Sequence, residues 1–244
     1  MKKLIYIAVL ALLPALASAE TAGMLQADVN LNNTASLQRG AKYFTTYCMG
    51  CHSAQYVRYN RLGQDLGLSD AQLETYLMPA GAKPSDTMES AMPAADSEKW
   101  FGRTPPDLTL EARSRGADWI YTYLKSFYMD SKSATGANNL ALPNAAMPNV
   151  LWELQGLQKP VYKAGEGAEG GNAQVFDHFE QVTPGKLTPE QFDQVAKDLT
   201  NFLSYAAEPV QLERVSLGLK VIGFLIVFFL FAFLLKREIW KDVH

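Results

Sequence analysis

Cys48-Met49-Gly50-Cys51-His52 carries the densest chemistry in this 244-residue sequence. A C-x-x-C-H run is the attachment signature of a c-type haem. Two thiols three positions apart can each form a thioether to one of the two haem vinyl groups. The next residue then offers an imidazole nitrogen to the iron as an axial ligand. Other uses of these residues fit less well. A structural zinc site needs four nitrogen or sulfur ligands, yet Cys48 and Cys51 are the only cysteines, and His178 and His244 are distant in sequence. A redox-active C-x-x-C is expected beside a βαβ pattern, and none is visible. The sequence therefore predicts one haem c, held covalently through two thioethers by Cys48 and Cys51, with His52 on the iron. With both cysteines so used, no disulfide is expected, and a lone motif excludes a multihaem array.

The elements around the motif must place it on one side of a membrane and inside a core. Residues 1–19 read as a secretory signal: Lys2 and Lys3, an apolar run from Leu4 to Leu16, and the small-residue site Ala17-Ser18-Ala19. Export suits covalent haem, which bacteria attach outside the cytoplasm. Near the other end, Leu217 to Leu235 is nearly all apolar, with Lys220 its only charge. A membrane-spanning helix needs about 20 residues to cross roughly 30 Å of hydrocarbon. Lys236, Arg237 and Lys241 follow, which puts the C-terminus in the cytoplasm by the positive-inside rule. The expected organisation is a signal peptide at 1–19, a periplasmic haem domain at 20–210, a transmembrane anchor at 211–237 and a cytoplasmic tail at 238–244.

Composition limits the partners. Of the 22 Lys and Arg, two fall in the leader and four in or after the apolar stretch. Of the 25 Asp and Glu, two follow it. Residues 20–214 thus hold 16 basic and 23 acidic side chains, a net −7, which argues against nucleic acid as a partner. Residues 65–98 concentrate seven acidic side chains against Lys83 alone. That segment suits electrostatic steering of a basic acceptor, although a plain solvated loop reads the same way.

Three helices are expected inside the domain. The first runs from Asn33 to Cys51, with Thr34 or Ser36 as its cap. Gly40 and Phe44 precede Cys48 by eight and four residues, so they share its face. Thr188-Pro189-Glu190-Gln191 starts another helix, whose apolar positions Phe192, Val195, Ala196, Leu199, Phe202 and Leu203 recur at helical spacing. Leu199 and Phe202 are expected to cross near Gly40 and Phe44, an arrangement that resembles class I cytochromes c. A middle helix is expected from Ala117 to Met129. Pro105-Pro106-Asp107-Leu108 before it reads as a stiff turn. In class I cytochromes a Pro-loop carbonyl holds the other nitrogen of the axial histidine, which makes Pro105 and Pro106 candidates. Residues 60–104, with a short helix from Ser69 to Leu77 followed by an irregular Pro-, Ala- and Ser-containing loop, and residues 156–187 look like insertions. The glycine-rich run Ala164 to Gly171 has too little apolar surface to pack.

The second axial ligand decides function. A thioether stabilises reduced iron and suits an electron carrier, whereas an open position suits ligand binding or peroxide chemistry. Met78-Pro79, Met92-Pro93 and Met147-Pro148 compete. In class I cytochromes the ligand methionine lies between the middle and last helices, and of the three pairs only Met147 does. The alternative role for any methionine is core packing. Arg113 and Arg115 are candidates for pairing with the haem's carboxylates, or are surface charges.

Arg39-Gly40, Cys48 to His52, Pro105 to Leu108 with Arg113 and Arg115, Ala146-Met147-Pro148, Val195 to Leu199, and Ala206-Ala207-Glu208-Pro209 before a single anchor together resemble the cytochrome c1 family. Its members are the haem c subunit of the ubiquinol–cytochrome c reductase (bc1) complex. The resemblance implies a mainly α fold: a class I cytochrome c-like haem domain with loop insertions plus one C-terminal transmembrane helix. It implies His52 and Met147 as axial ligands, Arg115 as a contact to the haem's propionates, and Pro106 within the haem-binding set. It also implies a cytochrome b subunit, a Rieske iron–sulfur protein and a soluble or membrane-anchored cytochrome c acceptor as partners, within a dimeric complex at the bacterial inner membrane. The loop between the middle helix and Met147 is short compared with mitochondrial members, and the glycine-rich loop and missing disulfide suggest a bacterial form. The alternatives are a free-standing membrane-anchored cytochrome c feeding a terminal oxidase, and a haem enzyme or gas sensor with an open iron.

Overall fold

Three helices that share apolar faces form the centre of the domain. The computed structural model describes residues 23–164 and 174–241. The expected signal peptide, most of the glycine-rich run and the last three residues lie outside them. The first helix, α1, spans Thr34–Tyr43 and continues as a π-helical turn over Phe44–Cys48. The last helix of the domain, α8, spans Pro189–Ala207, and a capping box between Thr188 and Gln191 starts it. The middle helix, α6, spans Ala117–Lys125 and packs on α8.

The crossing of α1 and α8 is set by a missing side chain. A Cβ at Gly40 would stand 2.0 Å from the Asp198 carbonyl oxygen and 2.7 Å from the Phe202 Cβ. Only glycine allows the two backbones to meet there. One turn on, the rings of Phe44 and Phe202 lie 5.3 Å apart, within the range of favourable aromatic pairs. Phe192, Val195, Ala196, Leu199, Phe202 and Leu203 are all buried, as their spacing predicts. Beside Gly40, however, the closest contact is the backbone of Asp198, not Leu199.

Three expectations need correction. Asn33 caps α1, its side chain accepting from the Ser36 amide. Ser36 itself lies inside the helix, and its hydroxyl donates to Asp198 instead. The middle helix stops at Lys125, not Met129. Its last carbonyls find side-chain partners there: the Asn139 amide donates to the Tyr123 carbonyl at 2.8 Å, and Gln155 and Gln158 donate to that of Lys125. With those carbonyls satisfied, the chain turns into strand β3 (Phe127–Met129), antiparallel to β4 (Ala137–Asn139).

The third correction concerns the two insertions. Residues 60–104 are folded rather than loose. Strand β1 (Ala54–Arg58) pairs with β2 (Thr87–Met88), and the short helices α2 (Tyr59–Leu66), α3 (Asp70–Tyr76) and α4 (Ala94–Phe101) surround them. Tyr59, Leu62, Leu66, Leu73 and Met88 from this region join the core. Ser69 caps α3 in a capping box with Gln72, inside the short helix expected there. Two further one-turn helices, α5 (Glu111–Ser114) and α7 (Trp152–Gln155), flank the middle of the chain. Residues 156–187 hold a long antiparallel hairpin of β5 (Gly156–Ala164) and β6 (Gln174–Pro184). At its base Gly156 has φ +88°, and a Cβ there would meet the Thr183 carbonyl at 2.3 Å.

Beyond the domain, α9 spans Gln211–Ile239 with no buried residue. Its most apolar 18-residue window has a mean hydropathy of 2.6. The helix is long and apolar enough to cross a bilayer.

Candidate haem site

The π-helical turn ends at Cys48, and its wide winding brings the motif round sharply. The Met49 amide reaches back to the Phe44 carbonyl, and the amides of Cys51 and His52 both donate to the Cys48 carbonyl, at 3.0 and 2.9 Å. Such π-turns recur at functional sites. Behind the motif the buried Tyr59 hydroxyl meets the Met49 sulfur at 3.3 Å. Cys48, Cys51 and His52 then face a cleft with two lobes, of about 530 and 920 Å³. Cys48, His52, Arg103, Pro106, Ala146 and Met147 line both lobes, so the two form one site.

His52 is held from behind. Its Nδ1 lies 2.7 Å from the Pro106 carbonyl oxygen. A carbonyl only accepts, so Nδ1 carries the proton and Nε2 keeps its lone pair. Of the two prolines, Pro106 is the one whose carbonyl meets the ring. Its loop is clamped to the residues after the motif: the Leu108 amide donates to the Ser53 carbonyl at 2.8 Å, and the Asp107 carboxylate accepts from the amides of Gln55 and Thr109. Burial lowers the His52 pKa, against the smaller opposing pull of the Pro106 bond. The ring is therefore neutral at neutral pH, as a metal ligand must be.

The two thiols behave unlike a redox dithiol. Burial pushes Cys48 up to about 12 and raises Cys51 as well. Reactive C-x-x-C thiols have lowered values. Among the described residues, no three His, Cys, Asp or Glu side chains converge as the ligands of a bare metal ion would.

Met147 lies on the loop after β4 and lines both lobes. Met78 packs against the core and Met92 is half-buried on the way into α4; neither lines the cleft. The Met147 loop is anchored by two asparagines that sequence reasoning missed. The Asn139 side chain, fully buried, accepts from the amides of Ala141 and Leu142, and that of Asn138 accepts from the Asn144 amide. Arg115 lines the larger lobe, donates from Nε to Glu111 at 2.8 Å and stacks its guanidinium 4.4 Å from the Trp119 ring centre. Arg113 lines neither lobe. Arg103, also missed, lines both; its position just ahead of the Pro105-Pro106 turn was the available signal.

The donor set suits a haem. Apolar walls from Ile120, Tyr123, Leu124, Leu199 and Leu203 can cover the macrocycle, with two thiols, an imidazole and a thioether at its reactive points. Guanidiniums in the larger lobe suit carboxylates.

Comparisons with known proteins agree with this reading. A model described as the cytochrome c1 family matches residues 27–243. Cytochrome c1 of Allochromatium vinosum is 48% identical over 246 aligned residues, covering 100% of both chains. A Nitrosomonas europaea protein named ammonia monooxygenase gamma subunit is 42% identical, covering 90% of this chain and 88% of its own. The mitochondrial cytochrome c1 heme protein of Saccharomyces cerevisiae is 28% identical over 86% of this chain and 67% of its own.

Proposed function

Because the chain belongs to the cytochrome c1 family, we propose that it relays single electrons from a Rieske iron–sulfur protein to a soluble or membrane-anchored cytochrome c. It is a haem c-bearing, membrane-anchored electron-transfer subunit of the bc1 type. The observation that carries the assignment of residues is the clamp of His52 by Pro106 in a cleft also lined by both cysteines and Met147. In this reading Cys48 and Cys51 would hold the haem through thioethers, and His52 Nε2 and the Met147 sulfur would ligate its iron. Pro106 fixes the imidazole plane, and Arg115 contacts a propionate. The haem, when bound, supplies an iron that gains and loses one electron. The residues around it exclude water, keep the ligands in place through oxidation and reduction, and so keep reorganisation small. The chain itself makes and breaks no substrate bond; the enzyme is the complex, ubiquinol–cytochrome c reductase.

The same reading places the domain of residues 20–210 in the periplasm, after removal of residues 1–19. Residues 211–237 anchor it in the bacterial inner membrane and 238–244 lie in the cytoplasm. A cytochrome b subunit packs beside the anchor, within a dimeric complex. Purification in mild detergent tests the assembly. Covalent haem in this chain that co-elutes with a b-type haem and an iron–sulfur signal supports it. Elution of the chain alone supports the free-standing carrier instead. Elution with subunits of a monooxygenase would favour the role in the name of the Nitrosomonas relative.

A further inference from the structure

The cleft carries more positive charge than its Arg115 alone provides. Two guanidiniums line it, Arg103 and Arg115, and one carboxylate, Glu111. Glu111 is already engaged with Arg115, whose guanidinium is also stacked on Trp119. Among the described residues Arg103 forms no ion pair. It lines both lobes, whereas Arg115 lines one. The Tyr123 phenol, pushed up to about 12 by burial, feels both charges, Arg115 more than Arg103. Both guanidiniums line the larger lobe.

We propose that Arg103 binds a haem carboxylate with its free guanidinium and biases the iron toward the reduced state. The inference rests on the reading of this cleft as the haem site. A haem brings two carboxylates, and Arg115 has already given part of its donor capacity to Glu111. Arg103 holds a planar fork with its donors unspent, suited to bidentate pairing with a carboxylate. Its charge adds to the field at the iron, where the reduced form carries one positive charge fewer. A nearby cation therefore favours reduction. Arg103 is exposed, so solvent screens much of this field.

The test is the midpoint potential of the full-length chain in detergent, by spectroelectrochemical titration. Arg103→Gln should lower the equilibrium constant for reduction about three- to tenfold, tenfold being about 59 mV for one electron, with haem attached and low-spin. Lys132→Gln makes the same charge change away from the cleft and should leave the potential in place. An unmoved potential in R103Q, or an equal fall in K132Q, overturns the proposal. If R103Q fails to hold haem, Arg103→Lys decides: the point charge cannot reproduce the fork, so the propionate bending band in the resonance Raman spectrum should shift. A wild-type band in R103K overturns the proposal. A wild-type chain without covalent haem would sink the haem reading itself, an outcome distinct from either.

Discussion

At the scale of the residue, His52 and Met147 differ in how their roles can be reached. The C-x-x-C-H spacing alone nominates His52 as the proposed ligand, because the chemistry of attachment requires a ligand at that position. Met147 follows only from its order along the chain relative to two helices, and the structure adds its place in the cleft. Met147→Leu should leave haem attached but give a high-spin reduced spectrum, ready carbon monoxide binding at neutral pH and a lower potential, since a thioether favours the reduced iron. A low-spin spectrum with the wild-type potential would remove Met147 as ligand. Asp198 has a structural role that no motif announces. Its carboxylate is almost fully buried and accepts from Ser36 at 2.6 Å, from Gln194 at 2.8 Å and from Arg39 through two bonds of 2.6 and 2.9 Å. The bonds from Ser36 and Arg39 tie α1 to α8. Asp198→Ala should cost about 3 kcal/mol, the low end of the range for breaking a buried pair, because Arg39 is half-exposed and can turn to water. Thermal unfolding of the haem-bearing variant checks this, with the haem spectrum expected to be unchanged below the transition.

At the scale of the element, the Gly40 crossing gives the sharpest expectation. Gly40→Ala puts a methyl group 2.0 Å from the Asp198 carbonyl oxygen. Backbone cannot swing aside as a side-chain tip can, so the helices must separate. Overpacking of this kind costs about 1–3 kcal/mol, sometimes more. Thermal unfolding should show a melting temperature lower by several degrees, and an unchanged one would mean that the helices part at little cost. Gly40, Phe44 and the face of α8 were legible because a long helix buried on one side repeats its apolar residues every three to four positions. The short helices at 59–66 and 94–101 were not, because one or two turns give too few repeats to establish a period. The hairpin of β5 and β6 was illegible for another reason. Tyr162, Val175, Phe176 and Val182 are exposed on it, so burial imposes no clean alternation, and Pro160 within β5 argues against a strand. Asn138 and Asn139 were missed because their work is to satisfy backbone groups on a loop and at a distant helix end, which leaves no periodic trace. Arg103 was passed over because the segment before it read as irregular, when in fact α4 ends at Phe101 and delivers it to the cleft.

At the scale of the whole molecule, the acidic face expected from residues 65–98 is partly spent inside the fold. Asp65 pairs with Arg61 and accepts from the Tyr205 hydroxyl at 2.7 Å, and Asp96 stands near Lys99. The free charge available to steer a basic acceptor is therefore smaller than the count of carboxylates suggests. The anchor, by contrast, is almost independent of the domain. No residue of α9 is buried. The link is the short Glu208-Pro209-Val210 turn, braced by an ion pair between Glu208 and Arg214. With Arg214 largely exposed, the pair contributes little, and the domain core closes without the anchor through α1, α6 and α8. The long apolar surface of α9 then serves only the bilayer and whatever packs beside it there. A chain ended after Val210 should therefore leave the membrane fraction and remain soluble. It should keep covalent haem with the full-length spectrum and potential, and unfold at nearly the same temperature. Loss of the low-spin spectrum on truncation would show that the anchor supports the haem fold, and that the turn after Ala207 transmits more than it appears built to carry.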